Sequence, residues 1–255
     1  MVVAIIVILG AFFWLLIETN WLRIRLPVYD TKPVIPSSDM RTFLGRLDAH
    51  GLLALAGIVG PLILITLDLT GAFIQPGYSI TRQSMSSLAI TSKGWIETIG
   101  FMLMGIMIES FTAALYLNIK RRRGFGLATA LLVFFGFGML VIGTFHTDAV
   151  GAPRTLSGYV HQVTAYGVFG LFPIALSLML PSIKNDHRWR GMFIYTLATI
   201  VIAVTLAVCQ PFFTEQFHYY GIYERVMVLN AIAWLVTFAI RLLVLSFKLN
   251  KRRQT

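Results

Sequence analysis

The chain has 255 residues, 57% hydrophobic and only 13% charged, with a mean hydropathy of +0.77. Soluble domains carry roughly 25% charged residues, so this balance excludes an ordinary water-soluble domain. The net charge of +10 sits in short clusters between apolar runs. That pattern suits loops facing anionic lipid and argues against nucleic acid as a partner.

Seven apolar runs approach or exceed the about 20 helical residues needed to cross a hydrocarbon layer. They lie near residues 2–20, 51–74, 95–118, 125–145, 157–181, 191–213 and 225–248. Their apolarity is continuous, whereas strands of a membrane barrel would alternate over segments of about ten residues. The expected fold class is therefore all-α, a polytopic membrane bundle of seven transmembrane helices.

Residues 1–22 read as a first membrane helix. They show no basic leading segment and no small-residue cleavage pattern, so this helix is expected to stay attached. Residues 23–50 form a polar connector carrying Pro33, Pro36, Ser37 and Ser38. A six-helix membrane domain follows over 51–248, and 249–255 is a basic tail. Cys209 is the only cysteine, which excludes an intrachain disulfide and a cysteine-based zinc site.

Charge sets the orientation. Of 21 Lys and Arg residues, sixteen fall in the connector, at 120–123, at 184–190 or at 248–253. Arg82, Lys93, Arg154 and Arg225 lie on the opposite side, and Arg241 sits inside the last run, from which it can snorkel toward the tail. The positive-inside rule then places the N-terminus outside the cell membrane and the C-terminus in the cytoplasm.

That orientation gathers three polar stretches on the outer face: 76–87, 143–162 and 214–225. Three of the five histidines, His146, His161 and His218, fall within them. His146, Asp148, His161 and His218 could supply the three or four ligands of a zinc ion, with a bound water as nucleophile for lipid hydrolysis. The competing reading has each histidine bonding loose backbone groups at a helix end. Haem ligation is disfavoured, because only His161 looks embedded in a helix. Ser84, Ser86 or Ser87 could act as a nucleophile beside a histidine, although capping explains the serine cluster better. Intramembrane charges are functional candidates by default, and Asp68, Glu97 and Glu109 qualify. Glu224 and Arg225 open the last run, where Arg225 could pair with Asp148 or a lipid phosphate. Gly136, Gly138, Gly143, Gly167 and Gly170 read as helix-packing positions, and Trp95, Tyr159, Tyr219, Tyr220 and Tyr223 as an interfacial belt.

Three motifs in order, PGYSITRQSMSSLA with Gly94 and Trp95, then GTFHTD with His161, then GIYERV with Trp234 and Arg241, carry a resemblance. The chain resembles the prokaryotic integral membrane proteins of the domain-of-unknown-function 998 (DUF998) family over about 51–248. The resemblance implies no established reaction. It implies that Tyr78, Arg82, Ser84, Ser87, His146, Asp148, His161, Glu224 and Arg225 belong together. A fainter likeness is to seven-helix membrane hydrolases of the alkaline-ceramidase and adiponectin-receptor type, but their His-x-x-x-His on the last helix is absent from 225–248. The expectation is an outward-facing polar site that binds a lipid head group or small polar ligand, with membrane lipids as partners. A zinc-dependent lipid hydrolase is the alternative.

Overall fold

The computed structural model of the chain describes residues 49–213 and 219–253. The first apolar run, most of the connector and His218 lie outside the described residues. Within them the fold is entirely helical: α1 (Ala49–Ile74), α2 (Met85–Leu88), α3 (Trp95–Asn118), α4 (Phe125–Thr144), α5 (Leu156–Asn185), α6 (Phe193–Cys209) and α7 (Tyr220–Arg253). Single 3₁₀ turns flank α6 at Arg190–Met192 and Gln210–Phe212. All but α2 belong to segments long and apolar enough to cross a membrane, six in total among the described residues.

Two helices outrun their apolar runs. The α5 helix continues past Pro181 to Asn185, whose Nδ2 donates to the Pro181 carbonyl at 2.7 Å. The α7 helix begins at Tyr220, so Glu224 and Arg225 stand in its second turn and do not open it. Tyr220–Tyr223 combines polar hydroxyls with rings that pack on α6 and its 3₁₀ turn, and hydropathy alone does not register such residues as helix.

The six long helices alternate in direction and pack in sequence, α1 on α3, α3 on α4, α4 on α5, α5 on α6 and α6 on α7, while α7 returns to α1. Aromatic rings fill the middle. Trp189 stacks on Phe238, Phe238 on Trp234, Trp234 meets Phe172 edge-on, and Phe172 packs on Phe135. Trp189, Trp234 and Phe238 are completely buried. One close crossing is at Gly57, where a Cβ would lie 2.7 Å from the Phe111 ring and 2.8 Å from Ala239 Cβ. Only hydrogen in place of a side chain lets α1 settle against both α3 and α7 there.

The end carrying residues 119–124 and 186–190 is closed by one acid. Asp186 accepts hydrogen bonds from Lys120 N at 3.0 Å, Arg188 N at 3.0 Å, and Arg188 Nε and Nη2 at 3.1 and 2.8 Å. Arg188 also donates to the Asn118 carbonyl at 2.8 Å, and Arg241 donates twice to the Arg188 carbonyl at 3.1 and 2.7 Å. Arg241 therefore ties α7 to this basic end through the backbone, in contrast to the snorkelling expected from its position.

Burial raises the Asp186 carboxyl, but the Arg188 side chain and the two backbone donors outweigh it and hold the group below its ordinary range. A depressed carboxyl contributes stability above its unfolded pKa and loses it as pH falls through the folded value. The thermal midpoint in detergent should thus drop below about pH 4. Asp186→Asn should flatten that drop while lowering the midpoint at neutral pH. Gly57→Val, an overpacking change, should cost about 1–3 kcal/mol, whereas Gly191→Ala, with open space around the added methyl, should leave the midpoint unchanged.

Candidate functional site

The opposite end is organised by Arg225. Its Nε and Nη2 grip Asp68 of α1 at 3.0 and 2.8 Å. Nη2 also donates to the Tyr78 hydroxyl at 2.8 Å, and Nη1 reaches the carbonyls of Ile80, Gln83 and Gly221 at 3.1, 3.1 and 3.2 Å. Every N–H of the guanidinium is engaged. Arg225 consequently has no donor left for Asp148 or a lipid phosphate, and the partner expected from sequence is replaced by Asp68. Position explains the choice: Asp68 lies six residues before the end of α1 and Arg225 five residues into α7, so the two meet at one depth.

The same guanidinium pins the 75–84 loop onto α7. Gly221 N donates to the Thr81 carbonyl at 3.0 Å, and a Cβ at Gly221 would collide with the Ile80 and Gln83 carbonyls. Tyr78 accepts from Arg225 and donates to the Ser84 carbonyl at 2.7 Å. Burial pushes its phenol up to about 12, with the neighbouring Arg225 opposing. Tyr78 is thus a neutral spacer between cation and loop.

The serine cluster caps a helix. Ser84 Oγ accepts from Ser87 N at 3.1 Å, and Ser87 Oγ donates back to the Ser84 carbonyl at 2.7 Å, which starts α2. Glu224 accepts from Met85 N and, at 3.3 Å, from Ser86 Oγ, so its carboxylate faces the first turn of α2. Among the described residues no histidine bonds to any of these serines. Capping accounts for them, and nucleophilic activation does not.

The 145–155 loop is likewise self-bonded. His161 of α5 meets the Phe145 carbonyl through Nδ1 at 2.7 Å, and His146 Nε2 meets Thr98 Oγ1 of α3 at 3.1 Å. Asp148 accepts from Thr155 N at 2.9 Å and Thr155 Oγ1 at 2.6 Å, and those two bonds hold its carboxyl below the ordinary range. Thr155 in turn caps α5 through Gly158 N at 3.1 Å. A Cβ at Gly158 would collide with the Asp148 carboxylate, so glycine is what admits the acid to this corner. Among the described residues no three His, Cys, Asp or Glu side chains converge in a way that could hold a metal ion. His161 bonds a backbone carbonyl at the end of α4, as the helix-end reading has it, whereas His146 bonds a side-chain hydroxyl; the fourth expected ligand, His218, lies outside the described residues.

Between these two assemblies lies a cavity of about 840 Å³. Ser84, Asp148, His161 and Glu224 line it, so four of the expected residues come together. Tyr78, Ser87, His146 and Arg225 stand behind the wall as supports, and Arg82 is exposed on the loop, away from the cavity. The rest of the lining includes Arg154, Gln162, Tyr166, Gln210 and Tyr220, with Phe169, Phe213 and Met227 as apolar surface. Arg154 donates to Gln162 Oε1 and lies 5.3 Å from the Tyr159 ring centre. Gln162 and Tyr166 follow His161 at one and five positions, a helical stripe that sequence reading passed over because amides and phenols carry no charge. Behind the Arg225 assembly Glu97 is 1% exposed, and neither of its carboxyl oxygens has a hydrogen-bond partner among the described residues.

Residues 58–241 match the family model described as Protein of unknown function (DUF998). The match covers well over half of the chain, which therefore belongs to that family, and it spans every motif of the resemblance drawn from the sequence. No curated protein and no solved structure matches the chain.

Removing one partner of a buried ion pair costs about 3–5 kcal/mol. Asp68→Asn should therefore lower the thermal midpoint in detergent substantially. Arg225→Leu should lower it at least as far, because the Ile80 and Gln83 carbonyls lose their donor too. Arg225→Lys should not restore stability, since an ammonium cannot span the same acceptors.

Proposed function

We propose that this integral membrane protein binds, without transforming it, a small polar group bearing both charges, such as the head group of a zwitterionic lipid. The observation that carries the reading is the cavity, whose lining combines Arg154 and Asp148 with the neutral donors and acceptors Gln162, Tyr166 and Gln210. Its volume falls within the roughly 300–1,000 Å³ common for small-ligand sites. Ser84, Glu224 and Asp148 already accept hydrogen bonds from helix starts and from Thr155, which favours recognition over turnover.

The orientation follows from charge. The basic end carries Lys120, Arg121, Arg122, Arg123, Lys184, Arg188 and Arg190, and the cavity end carries Arg82, Lys93 and Arg154 beside the internally paired Arg225. The positive-inside rule places the cavity on the outer face of the cell membrane, with a seventh span over residues 2–20 bringing the N-terminus to the same side.

Purified full-length protein should bind sn-glycero-3-phosphoethanolamine, detected as a rise in thermal midpoint and by calorimetry. Gln162→Leu combined with Gln210→Leu should weaken binding by about tenfold or more, as hydrogen bonds to charged groups contribute about 1.5–3 kcal/mol each, with the unliganded midpoint retained. Absence of binding by wild-type protein, or equal binding by the double variant, would overturn the reading.

A further inference from the structure

A second feature opens on the side of the bundle. Between α5 and α6 runs a groove of about 450 Å³ lined by Gly170, Pro173, Ile174, Leu178, Val204 and Val208, with Ser177 and Ala207 completing it. Ala207 also lines the polar cavity, and Phe169 of the cavity precedes Gly170 of the groove, so the two spaces adjoin. Ser177, the one hydroxyl in the groove, donates to the Pro173 carbonyl at 2.7 Å. Nothing polar in its side chains is left to attract water.

The groove exists because α6 is the least embedded span. Only Thr196, Thr199 and Ala203 of α6 are buried, and Val204 and Val208 are 45% and 66% exposed. Opposite them, a Cβ at Gly167 or Gly170 would touch nothing within 4 Å. Those two glycines do not serve helix packing, contrary to the expectation from sequence, and they leave a trough open to the membrane.

We infer that a diacyl lipid occupies both spaces at once, its zwitterionic head group in the cavity and one acyl chain in the α5–α6 groove. The inference rests on the head-group reading above and adds the source of that group and its route, sideways from the bilayer. Two observations single out a lipid chain as the occupant. The groove joins a cavity carrying both charges, as head and tail are joined in a lipid. Its direction and length also fit, since Gly170 to Leu178 runs away from the cavity for about 12 Å at 1.5 Å per helical residue, close to the half-thickness of a roughly 30 Å hydrocarbon core.

The test places full-length protein in phosphatidylcholine nanodiscs containing a small fraction of phosphatidylethanolamine with a photoactivatable diazirine midway along one acyl chain. Adducts mapped by mass spectrometry should concentrate on residues 170–178 and 204–208, be competed by unlabelled phosphatidylethanolamine, and fall at least tenfold in Gly170→Trp and in Ala207→Trp. Adducts spread evenly over the exposed helix faces and indifferent to both substitutions would overturn the inference. So would a groove protected from label, which would mean that it is covered by residues 2–20 or by a second copy of the chain. Soluble sn-glycero-3-phosphoethanolamine separates the two readings. If it binds wild type while the groove goes unlabelled, only the lipid inference fails; if it does not bind, the head-group reading fails with it.

Discussion

The cavity end depends on one buried guanidinium. Arg225 is 9% exposed and Asp68 4%, so both have given up most of their hydration. Desolvation of that size is recovered only where geometry is good and the remaining donors are satisfied. Here the fork of Arg225 meets the carboxylate with two bonds, and its other N–H groups fall on a phenol and three carbonyls. The pair therefore does more than neutralise a charge. It converts the carbonyls of an irregular loop into acceptors for a fixed cation, and so gives residues 75–84 a defined path where backbone groups would otherwise lack partners. Ser84 and Ser86 reach the cavity wall because that path exists.

The two ends of the bundle solve the same problem with opposite results. Both must satisfy helix termini and connecting loops near apolar surroundings. At the basic end Asp186 is surrounded by donors from its own turn and from Lys120, while Arg188 and Arg241 pass the linkage on to backbone carbonyls, and the end closes. At the other end the caps belong to two separate assemblies, one centred on Arg225 and Glu224, the other on Asp148 and His161. Each is internally complete, and they do not merge. The cavity is the space left between them.

The helices were legible in the sequence because hydropathy is a sum over many residues, and small errors cancel. Residues 95–118 were placed as α3 to the residue, and only the ends of α5, α6 and α7 moved by four or five positions. The site was legible in part. Parts of all three outer stretches meet at one cavity, and four of the expected side chains line it. What failed was pairing. Asp148 is nearer Arg225 in kind than in space, and the true partner, Asp68, sits inside an apolar run where depth, not loop membership, was the usable signal. The histidines raise a related point. A zinc set and hydrogen bonds at helix ends use the same residues, and only distances distinguish them; here His161 lies against the Phe145 carbonyl and His146 against the Thr98 hydroxyl, and His218 is outside the described residues.

The way the polar groups are held bears on what the cavity can do. A nucleophile or general base must exchange protons with a substrate, so its lone pair has to be available and its partner a base or acid. Ser84 Oγ takes the amide of Ser87, Glu224 takes the amide of Met85, and Asp148 takes both donors of Thr155. Backbone amides and threonine hydroxyls are not proton carriers near neutral pH. These bonds fix side chains in place, and a carboxylate or hydroxyl oxygen can still accept a further hydrogen bond from a guest. Rigid groups with residual acceptor capacity suit recognition, since little ordering remains to be done when the guest arrives. Gln162 is held in the same way, accepting from Arg154 and donating to the Tyr166 hydroxyl at 3.0 Å. This polar frame borders the α5–α6 groove through Ala207, which lines both spaces.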